Sequence, residues 1–246
     1  MTQKKLPIRH RGIYLLPNLF TTGAMFAGFY AITSAINGRF ETAAIAIFVA
    51  MILDGLDGRV ARMTNTQSEF GVQYDSLSDM VSFGVAPALV MYLWAFESLG
   101  KVGLFAAFVH TAGGALRLAR FNTQVEIADR RYFQGLPSPA AAAILAGGLW
   151  ISLEYDYDVE SIKYLALILT ISTGLLMVSN FRYSSFKEID LKGKVPFVVA
   201  IVMMLGIGFV MAQAQSMLFL LALGYAVSGP VFTLLMLRKK RKDRKT

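Results

Sequence analysis

Apolar residues run through this chain in stretches close to 20 residues long, separated by short polar breaks. A helix of about that length crosses the hydrocarbon core of a bilayer. The pattern predicts helices over about 15–37, 41–60, 74–96, 100–120, 137–153, 160–180, 195–212 and 216–237. An even number of crossings puts both termini on one side. Of 24 Lys and Arg residues, only Arg39, Lys101 and Lys163 fall where the chain faces the other side. Cytoplasmic loops carry the excess of basic residues, so the termini are expected in the cytoplasm. The acidic run Glu154, Asp156, Asp158 and Glu160 falls on the far side. The expected fold is all-α: a polytopic integral membrane helical bundle of about eight transmembrane helices. It forms one domain over 1–246, with an interfacial segment at 1–14 and a basic cytoplasmic tail at 238–246.

Composition agrees. Apolar residues make up 55% of the 246, and the mean hydropathy is +0.53. The net charge of +8 gathers at the chain ends, in Lys4, Lys5, Arg9, Arg11 and the run Arg238 to Lys242. That placement suits topology signalling and anionic lipid headgroups and calls for no nucleic-acid partner. The first apolar stretch is longer than a signal-peptide core and lacks a small-residue cleavage site, so it is expected to be retained. Without cysteine there is neither a disulfide framework nor thiolate chemistry. His10 and His110 each stand without a metal-ligand partner at useful spacing.

Against this apolar background the segment DGLDGRVARMTNTQSEFGVQYDSLSD, from Asp54 to Asp79, is expensive. Each aspartate in mid-membrane costs about 2.5–3.5 kcal/mol on insertion scales, so four need a compensating cation. Residues three or four apart share a helix face, which pairs Asp54 with Asp57 and Asp75 with Asp79. Two facing helices would bring the four carboxylates together. Oxygen ligands without Cys or His select hard cations such as Mg²⁺ or Mn²⁺, and four carboxylates offset two such ions. Gly55, Gly58 and Gly71, with Ala61 one turn beyond Gly58, leave the adjoining helix surface bare, and Arg62 adds a fixed cation for a phosphate oxygen. Metals, a cation and a bare groove suit a pyrophosphate.

The frame Asp54-x2-Asp57-Gly58-x2-Ala61-Arg62-x8-Gly71-x3-Asp75-x3-Asp79 resembles the signature of the CDP-alcohol phosphatidyltransferase family. The resemblance implies a polytopic membrane enzyme, commonly a homodimer, whose aspartates hold two divalent metals on the pyrophosphate of a CDP-linked lipid. Gly58, Ala61, Arg62 and Gly71 would line the donor site. By the same resemblance Asp79 is the general base that activates an alcohol, and CMP leaves.

Two further blocks bear on the acceptor. Arg117-Leu118-Ala119-Arg120-Phe121-Asn122 closes the fourth expected helix, and Tyr132 to Pro139 (YFQGLPSP) enters the fifth; Ser179 to Lys187 leaves the sixth. Arg117 and Arg120 lie one turn apart. A guanidinium recognises a carboxylate through two parallel hydrogen bonds, while Asn122 and Ser138 are suited to an ammonium or hydroxyl group. Such a pocket suits an amino acid. These blocks resemble the phosphatidylserine synthase branch of the family, and that resemblance implies CDP-diacylglycerol and L-serine as substrates. The motif falls at the cytoplasmic connection of the second and third expected helices, so the active site is expected to face the cytoplasm, and with no organelle-targeting segment evident the expected home is a bacterial inner membrane. Closure of the 123–136 loop over the site is expected to exclude water. The rivals are the same chemistry on glycerol 3-phosphate or inositol phosphate, an intramembrane aspartyl protease that needs two acids and no metal, and a cation transporter.

Overall fold

The computed structural model describes residues 8–64, 66–124, 132–184 and 213–243. Helix α1 (Ile8–Ile36) turns through Gly38 into α2 (Phe40–Thr64). The third rod starts as α3 (Glu69–Asp79) and widens into a π-helical segment at Met80–Val85. It then continues through α4 (Ala86–Met91) and a second π-helical turn at Tyr92–Phe96, and ends in the 3₁₀ turn Glu97–Leu99. Next come α5 (Lys101–Gln124), strand β1 (Tyr132–Gln134), α6 (Ser138–Glu154), α7 (Val159–Val178), strand β2 (Arg182–Ser184) and α8 (Ala214–Asp243).

Among the described residues, five helical runs are long and apolar enough to cross a membrane: Leu16–Ile36, Glu69–Leu99, Lys101–Thr123, Val159–Val178 and Gln215–Met236. Helix α2 carries the charged motif, which lowers its hydropathy, and α6 has only 17 residues. Both nonetheless pack into the bundle. Seven of the eight expected segments thus appear as helical rods among the described residues; the expected helix over 195–212 lies outside them. The first and third rods begin earlier than their apolar blocks, at Ile8 and Glu69, because a helix can keep hydrogen bonding beyond the stretch that hydropathy marks. Large apolar side chains face outward, among them Phe26 and Phe29 on α1, Phe105 and Phe108 on α5, and Leu165 and Ile168 on α7. Contiguous apolar exposure on this scale is the surface of a protein that spans a membrane.

Small side chains let the rods approach closely, as lipid offers no hydrophobic drive for helix association. Ala27, Ala31 and Ala35 on α1 meet Ala43, Ala44, Ala46 and Ala50 on α2 in one buried cluster. Where α5 crosses α7, a Cβ on Gly113 would sit 2.4 Å from the Gly174 carbonyl oxygen. Only glycine fits there.

Strands β1 and β2 pair antiparallel, with Phe133 opposite Tyr183. Gly135 then donates its N–H to Phe181 O at 2.9 Å, and Leu136 donates to Leu176 O at 3.0 Å. Gly135 has φ +78°, and a Cβ on it would meet Met177 O at 2.2 Å, so both conformation and space demand glycine. The described end of the expected 123–136 loop is therefore tied down by main-chain bonds, its first two residues belong to α5, and residues 125–131 lie outside the described residues.

Candidate active site

Ser68 caps α3, its side chain accepting from Gly71 N at 3.0 Å. Helices α2 and α3 both pack on α1, and α1 stitches them to itself by polar bonds. Thr21 Oγ1 donates to Asp57 Oδ2 at 2.7 Å, with Pro17 O as a second acceptor at 3.1 Å. From the third rod, Ser78 Oγ donates to Thr21 O and Ser82 Oγ to Ala24 O, both at 3.0 Å. These bonds fix the rotation of each acidic helix about its axis.

Carboxylate oxygens of Asp54, Asp57 and Asp75 lie within 4.8 Å of one another. Asp79, one turn beyond Asp75, reaches Asp54. At that separation two unit charges repel by about 3 kcal/mol at an effective dielectric of about 20. Three such pairs would cost as much as a typical protein's whole net stability. The Oδ1 atoms of Asp75 and Asp79 are buried without a hydrogen-bond partner among the described residues. Clustered carboxylates with open, buried lone pairs fit a hard divalent cation. Asp54, Asp57 and Asp75 could hold a metal ion, and Asp79 adjoins them.

Bare helix surface flanks the acids at Gly55 and Gly58. A Cβ on Gly55 would meet nothing within 4 Å, and one on Gly58 would meet only the Arg62 guanidinium, at 3.5 Å. Arg62 itself is exposed, Ala61 is half-buried, and Gly71 lies beside Ser68 and Asn18.

Of the four residues grouped as an acceptor pocket, Arg117 and Ser138 bond each other, while Asn122 and Arg120 have other partners. Arg117 faces Asp79 and Asp54 and donates Nη1 to Ser138 Oγ at 3.0 Å; its Nε is buried without a partner among the described residues. Asn122 is bonded to α3, donating to Ser76 Oγ at 3.1 Å. Arg120 points the other way. Its Nη2 donates to Val178 O at 2.7 Å and its Nη1 to Ser179 O at 3.3 Å and Asn180 Oδ1 at 3.4 Å, closing the carboxyl end of α7, where carbonyls lack helical donors. The three sequence blocks therefore meet at one place: Arg120, Gly135–Leu136 and Ser179–Phe181 all converge on the end of α7.

A family model for CDP-alcohol phosphatidyltransferases matches residues 14–178, from α1 to the end of α7. The chain belongs to the CDP-alcohol phosphatidyltransferase family. Among curated phosphatidyltransferases, a protein of Helicobacter pylori (strain ATCC 700392 / 26695) is 41% identical over 177 residues, covering 72% of this chain and 75% of the relative. One from Methanocaldococcus jannaschii is 44% identical over 140 residues, 57% of this chain and 62% of the relative. One from Bacillus subtilis (strain 168) is 34% identical over 173 residues, 70% of this chain and 92% of the relative. Each is named CDP-diacylglycerol–serine O-phosphatidyltransferase.

For a phosphatidyltransferase of this build, the hydropathy pattern predicted the first helix but not its bond to the acidic motif. Thr21 is a buried hydroxyl in an apolar helix four residues after Pro17, and that pairing was the available signal. Tyr183 was also missed. Fully buried, it donates its hydroxyl to Ala226 O at 3.0 Å, packs on Gly229 and lies 5.4 Å from the Tyr225 ring, which ties β2 to α8. Burial pushes the Tyr183 phenol up to about 12.

Proposed function

We propose that this chain transfers the phosphatidyl group of CDP-diacylglycerol to the hydroxyl of L-serine, giving phosphatidylserine and CMP. Family membership and the printed names of the relatives support the reaction class and both substrates. The single observation that carries the site assignment is the cluster of Asp54, Asp57 and Asp75 with Asp79 beside it and two orphaned buried carboxylate oxygens.

Asp54, Asp57, Asp75 and Asp79 hold two divalent ions, Mg²⁺ or Mn²⁺, which supply Lewis-acid neutralisation of the pyrophosphate when bound. The bare strip at Gly55, Gly58 and Ala61 admits the donor against the helix backbone, with Arg62 and Gly71 at its edge. Asp79 takes the proton of the serine hydroxyl, and its open Oδ1 suits that role. The serine oxygen bonds to the lipid-side phosphorus, the bond from that phosphorus to the bridging oxygen breaks, and CMP carries the electron pair away. Arg117, steadied by Ser138, offers its unpartnered Nε to the serine carboxylate, and Asn122 borders the same space from α5. The excess of basic residues on the expected side of the motif supports a site at the cytoplasmic face of a cell membrane. A homodimer is the working assembly, supported by the family resemblance and readable by native mass spectrometry.

The test is lipid product from purified protein in detergent with Mn²⁺ or Mg²⁺, CDP-diacylglycerol and either L-serine, glycerol 3-phosphate or inositol phosphate. Metal-dependent phosphatidylserine that is lost in Asp79→Asn is the expected result. Product with a phosphate-bearing acceptor alone would overturn the serine assignment and keep the chemistry. Activity undiminished by chelation would sink both.

A further inference from the structure

His110 is the one fully buried histidine among the described residues, and the mechanism above makes no use of it. It sits on α5 and bonds in two directions. Nε2 lies 3.1 Å from Phe83 O, inside the π-helical segment that follows Asp79, and Nδ1 lies 2.9 Å from Thr173 Oγ1 on α7. A carbonyl oxygen only accepts, so Nε2 carries a proton toward Phe83 O, while the Thr173 hydroxyl at Nδ1 also lies 2.9 Å from Thr170 O. The next residue repeats the device, with Thr111 Oγ1 donating to Gly84 O at 3.2 Å.

The sequence explains why Phe83 needs an outside donor. In an α-helix its carbonyl would accept from the N–H four residues on, but that residue is Pro87, which has none. The rod answers by widening, so that Ala86 N bonds Val81 O five residues back. Bilayer interior offers no water to the affected carbonyls, and side chains of a neighbouring helix must serve them. His110 and Thr111 do so.

This segment lies between two differently anchored halves. Ala86, Ala88, Val90 and Met91 of α4 are buried in the core, whereas α3 carries Asp75 and Asp79 into the acidic cluster. One residue corresponds to about 100° of helical rotation, so a change between π and α geometry would turn the aspartates relative to the core. We propose that His110 is a positioning residue for the acidic site: by holding Phe83 O it fixes the π-helical segment Met80–Val85 and thereby the direction in which α3 presents Asp75 and Asp79. The inference deepens the proposed function and rests on its assignment of those two aspartates.

Gln places its amide nitrogen near the position of histidine Nε2, whereas Asn reaches only the position of Nδ1. The test therefore compares His110→Gln with His110→Asn in full-length protein, reading kcat at saturating Mn²⁺, KM for serine, Mn²⁺ affinity by electron spin resonance, and melting temperature in detergent. H110Q is expected to stay within about threefold of the unmodified chain. H110N is expected to lose about tenfold or more in kcat and several-fold in Mn²⁺ affinity at similar melting temperature, with KM for serine within about twofold. Equal kcat and Mn²⁺ affinity in the two variants, or a loss confined to KM, would overturn the proposal. Should H110N fail to fold, Thr111→Val against Thr111→Ser gives the second reading: a drop in kcat and Mn²⁺ affinity in T111V that T111S restores supports it, and unchanged values in T111V overturn it. Asp79→Asn, run alongside, reports on the base assignment separately, because full activity there would sink that assignment whatever the histidine variants do.

Discussion

Thr21 donates its hydroxyl to Asp57 Oδ2 at 2.7 Å across 36 residues of sequence, joining the first helix to the acidic motif of the second. Asp57 is the buried member of its pair, and this bond selects which of its oxygens faces the other carboxylates. Outer partners of metal ligands commonly contribute about 10–100-fold in affinity. Thr21→Val, which keeps the shape and removes the hydroxyl, is expected to weaken Mn²⁺ binding by about tenfold in electron spin resonance titrations, and Thr21→Ser to restore most of it. Unchanged Mn²⁺ affinity in the valine variant would remove Thr21 from the site.

Arg117 and Arg120 sit one turn apart yet do different things, and the variants should separate them. Arg120→Ala leaves the carbonyls of Val178 and Ser179 without their donor, so its main effect is on folding. Hydrogen bonds to a charged group contribute about 1.5–3 kcal/mol, which corresponds to a fall of about 3–12 °C in melting temperature for a chain of this size. Arg117→Lys keeps the charge but loses the planar fork. It is expected to raise KM for serine about tenfold with little change in melting temperature. The reverse assignment of the two effects would overturn this division.

Binding of a divalent ion to the acidic cluster joins α2 to α3 and relieves carboxylate repulsion, so metal should stabilise the fold. At a Mn²⁺ concentration about 100 times its Kd the gain is about 2.7 kcal/mol. Thermal scans with Mn²⁺ against chelator are expected to differ by several degrees in the unmodified chain, and the difference should vanish in the Asp54→Asn, Asp57→Asn double variant. A melting temperature indifferent to metal would count against the cluster as a binding site.

Tyr183 supplies a pH dependence at the alkaline end. Its phenol is held neutral by burial up to about pH 12, above the ordinary tyrosine value of 10.0. Between those values the unfolded chain has released the proton and the folded one has not. Stability from this group is therefore complete below pH 10 and falls as pH rises through that window. Melting temperature should decline more steeply between pH 9.5 and about 11 in the unmodified chain than in Tyr183→Phe, which has no proton to lose there. Parallel curves would show that Tyr183 does not titrate differently in the two states.

The α5–α7 crossing gives a purely steric prediction. Gly113→Ala would place a methyl group 2.4 Å from Gly174 O, and no flexible side chain is there to yield. Overpacking of this kind costs about 1–3 kcal/mol. The variant should melt several degrees lower, whereas Gly55→Ala, with nothing within 4 Å, should leave the melting temperature unchanged. Equal effects would mean that the helices can separate at Gly113 without loss.

Read alone, the sequence reveals the membrane class, most helix positions and the spacing that pairs Asp54 with Asp57 and Asp75 with Asp79. These rest on local regularities: a run of apolar residues long enough to cross lipid, and carboxylates three or four apart on one helix face. Pro87 and His110 were equally visible as letters, but their connection was not. Whether a carbonyl orphaned by proline is served by water, by its own helix or by a side chain 27 positions away depends on which helix packs beside it. The same holds for the arginines. Identical in chemistry and one turn apart, Arg117 faces the acids and Arg120 caps α7, because the roughly 60° of direction and about 4.5 Å of rise that separate them are enough to bring two long side chains to different neighbours. Those partners follow from the packing of the helices, since hydrogen bonds join groups that are close in space whatever their separation along the chain.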